Sequence, residues 1–319
     1  MTTLSTFILW WWGFYAHREI NQAAIYTLPP EMAPFFKTHA HVLVDWAVRP
    51  DQRRYAVDGE APRHFIDWDV YSPTLKDSLF RLPWSKAVNL VTEDTLQAYG
   101  IVPWHVISMK NQLTKAFSMK NTREILRLSA EIGHYIGDAN VPLHTTQNYN
   151  GQMTGQTGIH GFWESRLPEL FATGYSRWVG PAHYLEKPDS VIWQAVHLAH
   201  VALDSVLLFE KELTRSLGNH RKFEVTERNR QTIRTYSDFF SNAYHRALDG
   251  QVERHFKRAI RMTGDFWYTA WVDAGQPDLS SLLPYQHDPT AEKDLVREWL
   301  RNLRRVAPPH ARTEEIGEN

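Results

Sequence analysis

The chain has 319 residues, enough for one large domain or two small ones, and its 43% hydrophobic and 13% aromatic content is that of a globular protein. A formal net charge of −1 gives no electrostatic reason to bind duplex DNA or an anionic membrane tightly. Cysteine is absent, which excludes disulfides and thiolate metal sites and leaves the compartment unreadable from redox chemistry.

The chain opens with an apolar run, Phe7-Ile8-Leu9-Trp10-Trp11-Trp12, preceded by no Lys or Arg and too short to span a membrane. Residues 1–11 read as the remnant of a signal peptide. Apolar residues then recur at three- and four-residue spacing over 16–28, 31–48, 104–118, 121–138, 188–217 and 224–272, which predicts helices. Asn121 with Glu124 forms a capping box at the start of the 121–138 helix. Pro29-Pro30, Pro83, Pro103, Pro181 and Pro277 fall between elements. No hairpin signal is flanked by alternating strands, and Asn150-Gly151 lies in a polar loop. No further segment qualifies as transmembrane, so stable membrane insertion is not expected. Residues 307–319 are polar and form a loose tail. The expectation is an all-α fold: one multi-helix domain over 12–306.

Between residues 134 and 164 the chain carries His134-x3-Asp138-x5-His144 and then His160-x3-Glu164. A spacing of four puts His134 and Asp138 a turn apart on one helix face, and His160 and Glu164 repeat it. Pro142 ends the first helix and forces Val141 extended, so His144 can turn back toward the pair. Taken singly, such a pair says little. Seven occur (also His41/Asp45, His200/Asp204, His220/Glu224, His245/Asp249 and His310/Glu314), and most read as acid–base pairs on solvated helix faces. The 134–144 segment differs because Gly133, Tyr135, Ile136, Gly137, Val141 and Leu143 surround the candidates with small or apolar groups, which suits a buried site. Imidazole and carboxylate are the expected zinc ligands where thiolate is missing.

Upstream stand Trp12, His17, Asp51 and His64. In order, these nine positions resemble the zinc-dependent phospholipase C and single-strand-specific zinc nuclease superfamily. There an N-terminal Trp is followed by His five residues on, then Asp, His, His-x3-Asp-x5-His and His-x3-Asp/Glu. The resemblance covers roughly residues 12 to 275, and Gly133 to His144 match especially closely. It implies up to three Zn2+ ions. One would be held by Asp51, His64, His134 and Asp138, and the second by His144, His160 and Glu164. The third would use His17, Asp138 as a bridging carboxylate, and the free amine and carbonyl of Trp12. Read alone, His17, Asp51 and His64 are as well explained by a helix start, a turn paired with Arg53 or Arg54, and a surface histidine. The remaining histidines are assigned to structure or surface.

Clustered zinc ions suit hydrolysis at phosphorus, where they polarise phosphoryl oxygens and turn bound water into hydroxide near neutral pH. Asp51 is the candidate catalytic residue, orienting or deprotonating that water. The substrate is a phosphodiester: a phospholipid headgroup on the phospholipase C-like reading, or single-stranded nucleic acid on the nuclease reading. Glu164 at the last ligand position resembles the phospholipase branch. Phe65, Trp68, Tyr71, Tyr149 and Phe162 lie beside the ligands and are candidates to meet either substrate or simply to pack. A non-catalytic zinc-binding protein of the same fold is the reading from a different class. The resemblance also implies a secreted or periplasmic protein whose mature chain starts at Trp12. Mass spectrometry of protein from its native host should then read an N-terminus at Trp12; an intact Met1 on a three-zinc protein would show that the amine is dispensable.

Overall fold

The structure, a computed structural model, describes residues 14–228 and 231–283. The expected segments 1–11 and 307–319, and Trp12 itself, lie outside the described residues. Among those described, the fold is all-α apart from one two-stranded hairpin. The longer elements are α1 (Phe14–Ala24), α2 (Val102–Ser118), α3 (Thr122–Asp138), α4 (Pro188–Leu217), the strands β1 (Phe223–Arg228) and β2 (Gln231–Tyr236), α5 (Asp238–Ala247) and α6 (Gln251–Asp273). Shorter helices at Ala33–Thr38, Ala40–Trp46, Arg49–Arg53, Pro73–Leu79, Trp84–Val91 and Glu93–Tyr99 fill the first third.

Local signals explain the boundaries. The Asn121 side chain accepts from the Glu124 amide at 3.2 Å and starts α3. The reciprocal half of the expected capping box is replaced, because the Glu124 carboxylate takes Arg127 instead. The 31–48 stretch is two helices, broken at His39, whose Nδ1 bonds back to the Phe35 carbonyl at 2.8 Å. The 224–272 stretch is corrected further. Residues 223–228 and 231–236 form two antiparallel strands, pairing Phe223 with Tyr236 and Val225 with Arg234. Their β-branched Val225, Thr226, Thr232, Ile233 and Thr235 favour strands, but the Asn229-Arg230 link holds no glycine to announce a turn. Helix resumes at Ser237, whose hydroxyl caps α5, and breaks again where Asp249 and Gly250 adopt positive φ.

The absence of further transmembrane candidates is also corrected: α4 is long and apolar enough to cross a membrane by length and composition. Here it serves as a core helix, with Ile192, Trp193, Val196, Ala199, Leu203 and Val206 buried against its neighbours.

Two apolar cores share the molecule. One joins α2 and α3 to the first half of α4 and the second half of α6; the other joins the 141–179 segment to the second half of α4, β2, α5 and the first half of α6. Helix α1 runs between them because small residues let it approach. A Cβ on Gly133 of α3 would lie 1.9 Å from Asn21 Oδ1, and one on Gly264 of α6 would lie 2.0 Å from Thr27 Oγ1. Asn21 is fully buried and donates to Leu43 O at 3.0 Å and Ala130 O at 2.9 Å, pinning α1 to its neighbours. Gly133→Ala is therefore expected to cost about 1–3 kcal/mol by overpacking, read as a lowered thermal midpoint; an unchanged midpoint would show that α1 yields without cost.

Candidate metal centre

The candidate ligands gather at the seam of the two cores. His17 comes from α1, Asp51 from Arg49–Arg53, His64 from the 3-10 turn Ala61–His64, and His134 and Asp138 from the last turns of α3. Helix α3 stops at Asp138, Val141 is extended (φ −87, ψ 120), and Pro142 opens the short turn Pro142–Thr145 that presents His144. His160 and Glu164 flank the start of a π-helical turn, Phe162–Arg166. Gly137 matters here: a Cβ would lie 2.8 Å from His17 Nδ1, so its absence admits the His17 ring.

Three ligand atoms, from His64, His134 and Asp138, face one point, and Asp51 Oδ1 stands beside two of them. His64 Nδ1 lies 2.9 Å from Asp138 Oδ2, 3.1 Å from His134 Nε2 and 3.6 Å from Asp51 Oδ1. His134 Nε2 lies 3.2 Å from Asp138 Oδ2 and 3.5 Å from Asp51 Oδ1. Ligands about 2.0–2.1 Å from a tetrahedral ion stand about 3.3 Å apart, so these spacings fit one cation. A second group is as tight: His144 Nε2 to His160 Nε2 3.0 Å, His144 Nε2 to Glu164 Oε2 3.2 Å, His160 Nε2 to Glu164 Oε2 2.7 Å. Between them His17 Nε2 stands 3.4 Å from both Asp138 Oδ1 and Glu164 Oε1, a third candidate position. His17 also groups with Asp51 and His134.

Eight of the nine sequence-derived candidates are thus brought together. Asp138 turns one oxygen to each of two positions, the arrangement a bridging carboxylate needs. Glu164 does the same, which the sequence reading missed because a spacing rule counts residues and not carboxylate oxygens.

Neighbouring groups orient the rings. His144 Nδ1 donates to the His64 carbonyl at 2.6 Å; a carbonyl only accepts, so Nε2 is left with its lone pair toward the cluster. Behind His64, Nε2 stands 3.6 Å from Glu60 Oε1. Glu60 is fully buried, accepts from Tyr135 OH and pairs with Arg53 at 3.0 Å and Arg63 at 2.8 Å. Arg53 continues to Glu131 at 2.7 Å, so it is spent on this network and not on Asp51. Burial raises the Glu60 carboxyl, but the His64, Arg53 and neighbouring contacts outweigh it and hold it well below the usual range.

The cluster is electrostatically loaded. Burial opposes charge on His134, yet Asp138 and Asp51 raise its pKa well above 6.5. Burial likewise opposes charge on Asp138 and Glu164, yet the facing imidazoles hold both well below their ordinary values. Exposure is uneven: the Asp51 side chain is 23% exposed, Glu164 12% and His160 11%, while His64 and His134 are sealed. A few of the other histidines have plain structural roles. His105 and His255 are pushed down by burial, to about 3 and about 4, and stay neutral.

The candidate substrate aromatics are packing residues. Phe162 lies flat on Tyr236 (3.7 Å, 1°), Trp68 packs on Tyr71 and Trp193, and Phe65 and Tyr149 are also buried.

Fold and site together define an all-α protein built around a buried histidine–carboxylate cluster able to hold metal ions. Among solved structures the chain is similar to the alpha-toxin of Clostridium perfringens (avian strain SWCP), with 14% identity and a TM-score of 0.45 over 84% of this chain and 65% of that one. It is similar also to the alpha toxin of Clostridium absonum, with 12% identity and a TM-score of 0.45 over 86% of this chain and 66% of that one. The chain spans just under two thirds of the length of these toxins. No family model and no curated protein matches it.

The charges set the pH response of the metal-free protein. His134 is raised above 6.5, so its contribution is complete below that value and lost as pH climbs through the higher folded pKa. Asp138 and Glu164 are lowered below 3.8 and 4.5, so theirs is complete above those values and lost toward acid. Melting of metal-free protein should therefore peak between these limits and weaken toward alkaline pH. Saturation with a divalent cation, which holds His134 deprotonated, should remove the alkaline loss; identical alkaline profiles with and without cation would refute the convergence of ligands on one ion.

Proposed function

We propose that the chain is a zinc-dependent hydrolase of phosphoric esters, phospholipase C-like, using up to three Zn2+ ions. The observation that carries this reading is the double division of Asp138 and Glu164 between adjacent ligand groups, which supports several cations side by side. Such ions, when bound, polarise phosphoryl oxygens, acidify water and stabilise a departing alkoxide. Donor sets that mix imidazoles with carboxylates fit zinc, and no thiolate competes.

This chain's own residues divide the remaining work. His64, His134 and Asp138 are sealed from solvent and hold position. Asp51 is the most exposed of the set, and its Oδ1 faces His64 and His134. Its second oxygen, Oδ2, is the candidate to take a proton from the attacking water. Its carboxyl is opposed by burial but held below the usual value by His134, His64 and His17, so it is ionised at neutral pH as a proton acceptor must be. The ordered resemblance of the ligands, with Glu in the last position, favours a phospholipid headgroup ester as substrate and export from the cell as the setting. With the five neighbouring aromatics buried, base stacking on them gains no support, and the single-strand nuclease reading takes second place.

Zinc-loaded protein is expected to hydrolyse p-nitrophenyl phosphocholine faster than single-stranded DNA or RNA in side-by-side assays. Asp51→Asn should lower kcat by about 10²–10⁴-fold while most of the zinc is retained by elemental analysis. Preferential cleavage of nucleic acid would move the assignment to the nuclease. Full zinc content with no turnover of any ester would leave a zinc-binding protein without catalysis.

A further inference from the structure

Helix α4 contributes no candidate ligand, yet one of its turns grips the segment that carries two of them. Glu210 is fully buried on this apolar helix. Its Oε1 pairs with Lys222 Nζ at 2.5 Å and accepts from Thr214 at 3.2 Å and Tyr236 OH at 3.5 Å, while Oε2 accepts from Gln156 Nε2 at 2.6 Å. Gln156 Nε2 also donates to Leu207 O at 2.8 Å, and the Gln156 carbonyl accepts from the Ile159 amide at 3.1 Å, one residue before His160. On the other side, the Tyr236 ring lies flat on Phe162, which sits between His160 and Glu164. A buried carboxylate thus reaches the start and the middle of the short stretch that must place two ligands against His144.

We propose that Glu210 is a positioning residue for the cation position formed by His144, His160 and Glu164, setting the affinity of that position and, through the shared Glu164 carboxylate, of the His17 position beside it. Its carboxylate fixes Gln156 and Tyr236, and through them the approach of His160 and Glu164 to His144. The Asp51/His64/His134/Asp138 group is held instead by α3 and the Glu60–Arg53 network, which Glu210 does not touch. The proposal rests on the reading that the His144 group binds zinc.

The test is stepwise Zn2+ titration of the full chain against a chromophoric chelator, with thermal melting of the metal-free protein in parallel. Glu210→Leu/Lys222→Met removes the buried ion pair as a unit, a replacement often neutral or stabilising for folding, while releasing Gln156 and Tyr236. Gln156→Met cuts one limb and leaves the ion pair intact, which keeps the test open if the double variant folds poorly. In both, the zinc steps that draw on Glu164 should weaken, the most affected by about 10–100-fold as for lost outer contacts to a metal ligand, and the step at His64, His134 and Asp138 by less than about twofold, with the melting point of Gln156→Met little changed. Adding His160→Ala to Gln156→Met should weaken the most affected step by less than it does in the wild-type background. Equal weakening of all steps, or of none, in a folded variant overturns the proposal. Wild-type protein that takes up no zinc overturns the metal reading itself, an outcome visible before any variant is compared.

Discussion

The carboxylate of Asp138 is the point from which the architecture is best understood. It is sealed from solvent, yet four imidazoles crowd it: Oδ2 takes His64 at 2.9 Å and His134 at 3.2 Å, and Oδ1 has His17 at 3.4 Å and His144 at 3.8 Å. Charge in such a place is tolerated only where the surroundings are fixed, because moving any partner exposes a buried ion to a low dielectric. That demand propagates outward. Helix α1 must lie close enough to deliver His17, which requires the glycines of α3, and the 142–145 turn must fold back tightly, which requires Pro142.

A second layer of charge supports the first. Glu60, Glu131, Arg53, Arg63, Arg127 and Tyr135 form a connected network beneath His64, with Arg127 reaching Glu131 at 3.0 Å. With Glu124 on Arg127, its three arginines meet three glutamates, and the network fixes the turn that carries His64. Surface pairs of this kind contribute little to stability; here, with Glu60 and Glu131 buried, the same contacts define geometry.

Much of the centre was legible in the sequence, for local reasons. A four-residue spacing on a helix, and a proline that ends it, are short-range constraints, and His134, Asp138 and His144 fall where those rules put them. Helices 188–217 and 121–138 were legible because their apolar periodicity runs unbroken. What escaped depends on long-range contact. Gly133 and Gly137 look like weak points of α3 until α1 is laid against them. Glu210 looks like one more acidic residue among many until Lys222 and Gln156 are brought to it. The hairpin escaped because its strands have the right side chains but no glycine in the link to mark a turn.

The glycine at 264 bears on the order in which the chain emerges during synthesis. Every candidate ligand precedes residue 165, so the first 164 residues contain all the donor atoms described. Yet α1 is clasped between α3 and α6, and the close approach of Thr27 to Gly264 involves the last long helix among the described residues. A nascent chain therefore carries a full complement of imidazoles and carboxylates well before it can hold His17 in place. The cluster of donors closes around His17 only when α6 docks.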